Sequence, residues 1–288
     1  MSAGTLVGVP LYTLSGYKGT GRAPSALRKA GIGEALGATA DLGDVDLHPL
    51  NEDLLEGKVK NLTHFKDATR AVYEALRSVA AERVFVLGGE CSESVGTMAG
   101  LAEAFGGRPG MLWMDSHGDF NTPETSPSGY IGGMCLAMAC GRSQNLRLPL
   151  GPAGPPLAEE RLVHVGSRAL DPQEVVALNS SPAKLFTSQQ VKKSGAAEVA
   201  EEAARHLDNR SDWIACHLDV DVLDPQYLPA VNYPVPGGLS PEECSTIIRT
   251  LKRTGKMRVL EIASYNASID QGRPSAKKIV DLLRDVFS

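Results

Sequence analysis

Trp113-Met114-Asp115-Ser116-His117-Gly118-Asp119 continues an apolar run that begins at Gly110. A second stretch, His217-Leu218-Asp219-Val220-Asp221-Val222-Leu223-Asp224-Pro225, likewise ends an apolar run, one that begins at Trp213. Short runs with little polar alternation are what strands buried on both faces look like. Ligands of open parallel sheets bind beyond the carboxyl ends of the strands. Two acidic clusters at two such ends therefore indicate both an α/β fold and the place where its chemistry lies.

Further apolar runs stand at Thr5–Val9, Arg83–Leu87, Arg161–Val165, Lys184–Thr187 and Met257–Ile262, beside Gly110–Met114 and Trp213–Leu218. Helical patterns fall between them, at Lys66–Ala80, Ser92–Phe105, Ile131–Arg142, Pro172–Asn179, Gly195–Leu207, Pro241–Thr254 and Pro274–Val286. This alternation predicts βαβ units and a parallel sheet. Ser240-Pro241-Glu242-Glu243 and Asp171-Pro172-Gln173-Glu174 have the form of capping boxes with proline at the first helical position. Leu148–Pro156, rich in Gly and Pro, reads as a surface excursion and not as a linker. With no repeat and no boundary in sight, residues 1–288 are read as one domain.

Composition narrows the function classes. A net charge of −5 argues against nucleic acid, which calls for a basic stripe. No apolar run approaches the roughly 18 residues of a membrane span. The start, Met1-Ser2-Ala3-Gly4-Thr5, lacks the features of a signal peptide. Five cysteines without a CxxC pair fit free thiols in a reducing cytoplasm.

Side chains two apart on an extended chain share a side, so Asp115, His117 and Asp119 are expected to converge, as are Asp219 and Asp221. Four carboxylates in one pocket repel unless something positive sits among them. Carboxylates with an imidazole suit Mn²⁺, and Mg²⁺, Fe²⁺ or Zn²⁺ less distinctively. Two such ions about 3.5 Å apart generate hydroxide near neutral pH. The plain alternative is that each cluster is a solvated turn or a helix cap.

Asp115-Ser116-His117-Gly118-Asp119-Phe120-Asn121, Asp219–Pro225, Gly88-Gly89-Glu90 after a strand, and Gly237-Gly238-Leu239-Ser240 resemble the ureohydrolases, the family of arginase and agmatinase. The motifs appear in family order across residues 5 to 285. The resemblance implies one three-layer α/β/α domain with a mainly parallel eight-stranded sheet. It implies two Mn²⁺ per subunit and a bridging hydroxide that attacks a guanidino carbon. Asp115 and Asp219 would touch both metals, Asp119 one, and His117 and Asp221 the other. Cys91 stands where the family has a histidine ligand; it is either a thiolate ligand or an inert buried thiol. The family also forms trimers or hexamers, although the sequence carries no signature of that interface.

The same resemblance assigns the substrate's α-carboxylate to Asn121, Ser126 and Ser128 and its α-ammonium to Asp171 and Glu174, which points to an α-amino acid. The guanidino end departs from arginase, with Tyr130 standing in place of a loop asparagine. Ser264 replaces a carboxylate facing the guanidinium, and Gly132 replaces a histidine in the loop Ser128-Gly129-Tyr130-Ile131-Gly132-Gly133. Arginine's guanidinium stays charged, and burying it without a counter-charge costs several kcal/mol. An N-hydroxyguanidine is less basic, and Gly132 would leave room for its hydroxyl. With Cys91, these departures resemble ureohydrolases that split Nω-hydroxy-L-arginine into hydroxyurea and L-ornithine in D-cycloserine (antibiotic) biosynthesis. Asp119 would then pass the proton to the leaving ornithine nitrogen. His217 shares strand phase with Asp219 and Asp221; it reads as a core residue or as a group just behind the ligands. The alternatives are another guanidino hydrolase, of arginase, agmatinase or guanidinobutyrase type, and a catalytically inactive binding module.

Overall fold

The computed structural model describes residues 4–146 and 148–288. The reading of the N-terminus falls partly on residues 1–3, outside the described residues. In chain order the strands are β1 (Gly4–Val9), β2 (Ala38–Asp44), β3 (Leu55–Glu56), β4 (Val59–Lys60), β5 (Arg83–Gly88), β6 (Pro109–Met114), β7 (Leu162–Ser167), β8 (Lys184–Thr187), β9 (Trp213–Asp219) and β10 (Met257–Ala263). The helices are α1 (Ala23–Lys29), α2 (Ile32–Leu36), α3 (Leu62–Leu76), α4 (Ser94–Phe105), α5 (Cys135–Ala139), α6 (Pro172–Ser180), α7 (Ser188–Ser194), α8 (Ala196–Asp208), α9 (Pro241–Lys252) and α10 (Pro274–Phe287).

Eight strands form one sheet in the order β2-β1-β5-β10-β9-β6-β7-β8, every neighbouring pair parallel. β3 and β4 make a small antiparallel hairpin beside it. Strand alternation sorts the core into two layers. Phe85, Leu87, Leu112, Met114, Ile214 and Cys216 face one side, packed with side chains of α1, α2 and α7 to α10. Val84, Val86, Met111, Trp113, Trp213 and Ala215 face the other, with α3 to α6. The expected α/β/α architecture with a parallel eight-stranded sheet is thus the observed one.

Three differences have physical causes. β2 escaped the sequence reading because it is an edge strand, Ala-Thr-Ala-Asp-Leu-Gly-Asp, almost wholly exposed. The helix expected over Ile131–Arg142 is a 3₁₀ turn, Ile131–Met134, followed by the short α5. Short α1, α2 and α7 lie in segments to which the sequence assigns no element. All five cysteines are free and buried. Among the described residues, no helix is long and apolar enough to cross a membrane.

Candidate metal centre and substrate cavity

Five neighbouring strands, β5, β10, β9, β6 and β7, deliver the site residues from their carboxyl ends. β5 leads into Glu90 and Cys91, β6 into Asp115, β7 into Arg168, β9 ends at Asp219, and β10 leads into Ser264. Gly89 lets the β5 exit pass close to the chain: a Cβ there would meet the Leu11 carbonyl oxygen at 1.9 Å. A cavity of about 520 Å³ opens above these ends.

Convergence of the acidic clusters arises from turns, which corrects the expectation of simple strand alternation. The Asp115 carboxylate accepts from the His117 backbone N–H at 2.7 Å. Asp219 accepts from the Asp221 N–H at 2.7 Å, inside a 3₁₀ turn over Val220–Val222. The acidic residues do sit in turns, but buried ones, and not the solvated turns of the plain alternative. Asp221 in turn accepts from the Ser116 N–H at 3.1 Å, which ties the two clusters together.

Two donor groups result. In the deeper one, ligand atoms of Cys91, Asp115, His217 and Asp219 all lie within 4.8 Å of one another. In the outer one, Asp115, His117 and Asp221 do the same. Asp119 lies outside both groups. Its backbone is left-handed (φ 47°), a region that Asp tolerates, and its Oδ2 is 3.5 Å from the Cys135 thiol.

The electrostatics are those of crowded anions. Burial, then Asp115, pushes the Asp119 carboxyl well above the usual range. Burial, then Asp221 and Asp115, does the same to Asp219. Burial and the Asp219 charge raise the Cys91 thiol, which donates to Asp219 Oδ2 at 2.8 Å. At His117 burial opposes the cation, but bonds to Asp115 and Asp221 prevail and push it up to about 12. Burial likewise opposes the Asp115 anion, which His117 brings down to about 2. The outer group thus already draws a positive charge between its carboxylates. Carboxylates, a thiol and imidazoles pooled around two shared centres are a donor set that fits divalent cations.

The cavity wall contrasts with this floor. Asn121 donates from Nδ2 to Asp171 Oδ2 at 2.9 Å and accepts from Thr125 Oγ1 at 2.9 Å. Glu174 accepts backbone N–H groups from Phe120 and Asp171, both at 2.9 Å. A carboxylate has about four lone-pair sites, so capping α6 and facing the cavity coexist in Glu174. Ser126 accepts from the Gly129 N–H at 3.0 Å and Ser128 from the Tyr130 N–H at 3.1 Å. All five of these residues line the cavity.

Ser264 and Gly132 also line it, but with different local roles from those expected. The Ser264 hydroxyl donates to Asp219 Oδ2 at 2.6 Å, since its left-handed backbone (φ 68°) turns it toward the floor. The space beside Gly132 is taken by the Tyr130 ring, whose Cζ would lie 2.5 Å from an added Cβ. The room expected there is filled by an aromatic side chain. Tyr130 donates to the buried Glu90 at 3.1 Å. With Tyr17 and Tyr233 it forms an aromatic cluster, the Tyr17 and Tyr130 rings being 6.0 Å apart.

Sequence reading missed three groups. Glu90 stands within the Gly88-Gly89-Glu90 motif and Tyr130 within the loop that carries Gly132, but the sequence assigns neither a role. Glu261, 1% exposed, hides inside the apolar run of β10. It accepts from the His217 ring at 2.7 Å, and its place on the strand face next to His217 was the available signal.

Comparison with known proteins accords with this geometry. The arginase from Bacillus caldovelox is 33% identical over 291 residues, covering 98% of this chain and 97% of that relative. Its solved structure superposes with a TM-score of 0.93 at 32% identity, over 100% of this chain and 99% of that one. The Entamoeba histolytica arginase in complex with L-ornithine superposes with a TM-score of 0.87 at 25% identity, over 100% and 99% of the two chains. A family model described as the arginase family matches residues 3–288, and the chain belongs to that family.

Proposed function

We propose that this protein hydrolyses the guanidino-type C–N bond of Nω-hydroxy-L-arginine, giving hydroxyurea and L-ornithine, with two Mn²⁺ held by its cavity floor. The observation that carries the reading is the pooling of Asp115, His117, Asp219 and Asp221 beneath a wall made of Asn121, Asp171 and Glu174. The L-ornithine held by the Entamoeba relative supports an amino-acid product. When bound, the ions would supply a nucleophilic hydroxide near neutral pH. Cys91, Asp115, His117, Asp119, Asp219 and Asp221 are the proposed ligands.

Hydrolysis adds hydroxyl to the hydroxyguanidino carbon and a proton to the departing ornithine nitrogen. Asp119, which lines the cavity, is the group we assign to relay that proton. Asn121, Ser126 and Ser128 receive the α-carboxylate, and Asp171 and Glu174 the α-ammonium. Ser264 supplies no counter-charge, and its hydroxyl is committed to Asp219. That disfavours a permanently charged guanidinium. A second reading, L-arginine itself, is favoured by the relatives named arginase. Ornithine release from the two substrates, assayed side by side with Mn²⁺, separates them. Preference for the hydroxylated substrate supports the proposal, and equal or faster turnover of L-arginine overturns it.

A further inference from the structure

We infer that His217 is itself a ligand of the deeper metal position, with Glu261 as the carboxylate that aims it. Trp113, His217 and Glu261 are direct register partners on β6, β9 and β10, so their side chains stand in one row. The row lies one strand period below Asp115 and Asp219, two residues earlier on β6 and β9. The imidazole is fully buried and stacked on the Trp113 indole, with centroids 3.7 Å apart and planes within 11°. Its plane is therefore fixed.

Hydrogen bonding fixes its tautomer. Ser94 Oγ gives its only proton to Glu261 Oε2, so it cannot donate to the ring. Nδ1 lies 3.1 Å from that hydroxyl and 2.7 Å from Glu261 Oε2. Both are acceptors there, and Nδ1 must carry the proton. Nε2 is left with a lone pair. It is buried and has no hydrogen-bond partner. It is also the nitrogen that remains to join Cys91, Asp115 and Asp219, whose ligand atoms lie within 4.8 Å of the ring's. A carboxylate on one nitrogen and a metal on the other is a recurrent way to hold a ligating imidazole. The deeper position then has an imidazole beside its thiol and carboxylates, and the outer one has its own imidazole in His117.

This inference rests on the metal-centre reading above. The test is Mn²⁺ content and affinity of the intact chain beside His217→Ala and Glu261→Gln, with pulsed electron paramagnetic resonance on the Mn²⁺-loaded wild type. We expect His217→Ala to lose one of two bound ions, or to bind it at least about 100-fold more weakly. Glu261→Gln should weaken it about 10- to 100-fold. The wild-type spectrum should show nitrogen couplings from two imidazoles. That spectrum decides the matter even if His217→Ala fails to fold. Couplings from one imidazole only, or unchanged metal content and affinity in a folded His217→Ala, overturn the inference and leave the metal centre standing. A wild type that binds no Mn²⁺ overturns both.

Discussion

The floor and the wall of the cavity both carry carboxylates and behave in opposite ways. On the floor, Asp115, Asp119, Asp219 and Asp221 stand close to one another, with a thiol and imidazoles among them, and burial raises two of the carboxyls. On the wall, Asn121 is bonded to Asp171 and Glu174 to two backbone amides, so each polar group already has a partner. The floor is an electrostatically unsatisfied arrangement that a cation completes. The wall is a satisfied one that holds its shape and offers spare lone pairs. Chemistry is therefore expected to follow the floor, and recognition the wall.

Removing a floor charge should have the largest effect. Asp219→Asn takes away a carboxylate placed beside Cys91, Ser264 and Asp221. Ornithine release should fall by on the order of 10³-fold, as when a preorganised electrostatic partner of a transition state is lost. Steady-state assays and circular dichroism on the same preparation check this, and a folded variant within tenfold of wild type would break the comparison. Glu174→Ala, on the wall, should act differently. It strands two backbone N–H groups, each costing about 1–3 kcal/mol, so urea unfolding should show a clear loss of stability. Its kinetic signature should be a raised KM with kcat little changed.

Acidity sharpens the contrast further. Without a cation, burial and neighbouring anions hold protons on Cys91, Asp119 and Asp219 beyond their ordinary range. A metal must displace those protons, so affinity should rise with pH and fall toward acid. Calorimetry from pH 6 to pH 8.5, with the buffer ionisation heat varied, reads the protons released. An affinity independent of pH would mean that the floor ligands are already deprotonated. Tyr233→Phe should have the smallest effect. It loses the exposed hydroxyl contact with Tyr17, and its activity and stability should stay within about 1 kcal/mol of wild type, the typical net value of such a bond.

The floor was legible in the sequence and the wall only partly, for a physical reason. Asp115, His117, Asp219 and Asp221 sit just past apolar runs, and parallel-sheet topology brings strand ends together without further information. That logic also located β5 to β10 within a residue or two. It did not foresee that turns, and not strand alternation, aim the carboxylates, nor that a left-handed Asp119 turns toward Cys135. Those outcomes depend on backbone conformation after the strand has ended. Loop contacts were less visible still. Gly132 read as free space, yet Tyr130, two residues earlier, fills it. Edge strand β2, exposed and polar, gave no hydrophobic signal to find.

A calorimetric titration of Mn²⁺ into chelator-treated, intact protein and into Asp219→Asn decides whether the cavity floor is a metal centre. We expect two ions per chain in the wild type and a marked loss of binding in the variant. Absence of Mn²⁺ binding to the wild type, or equal binding by both proteins, would contradict that reading.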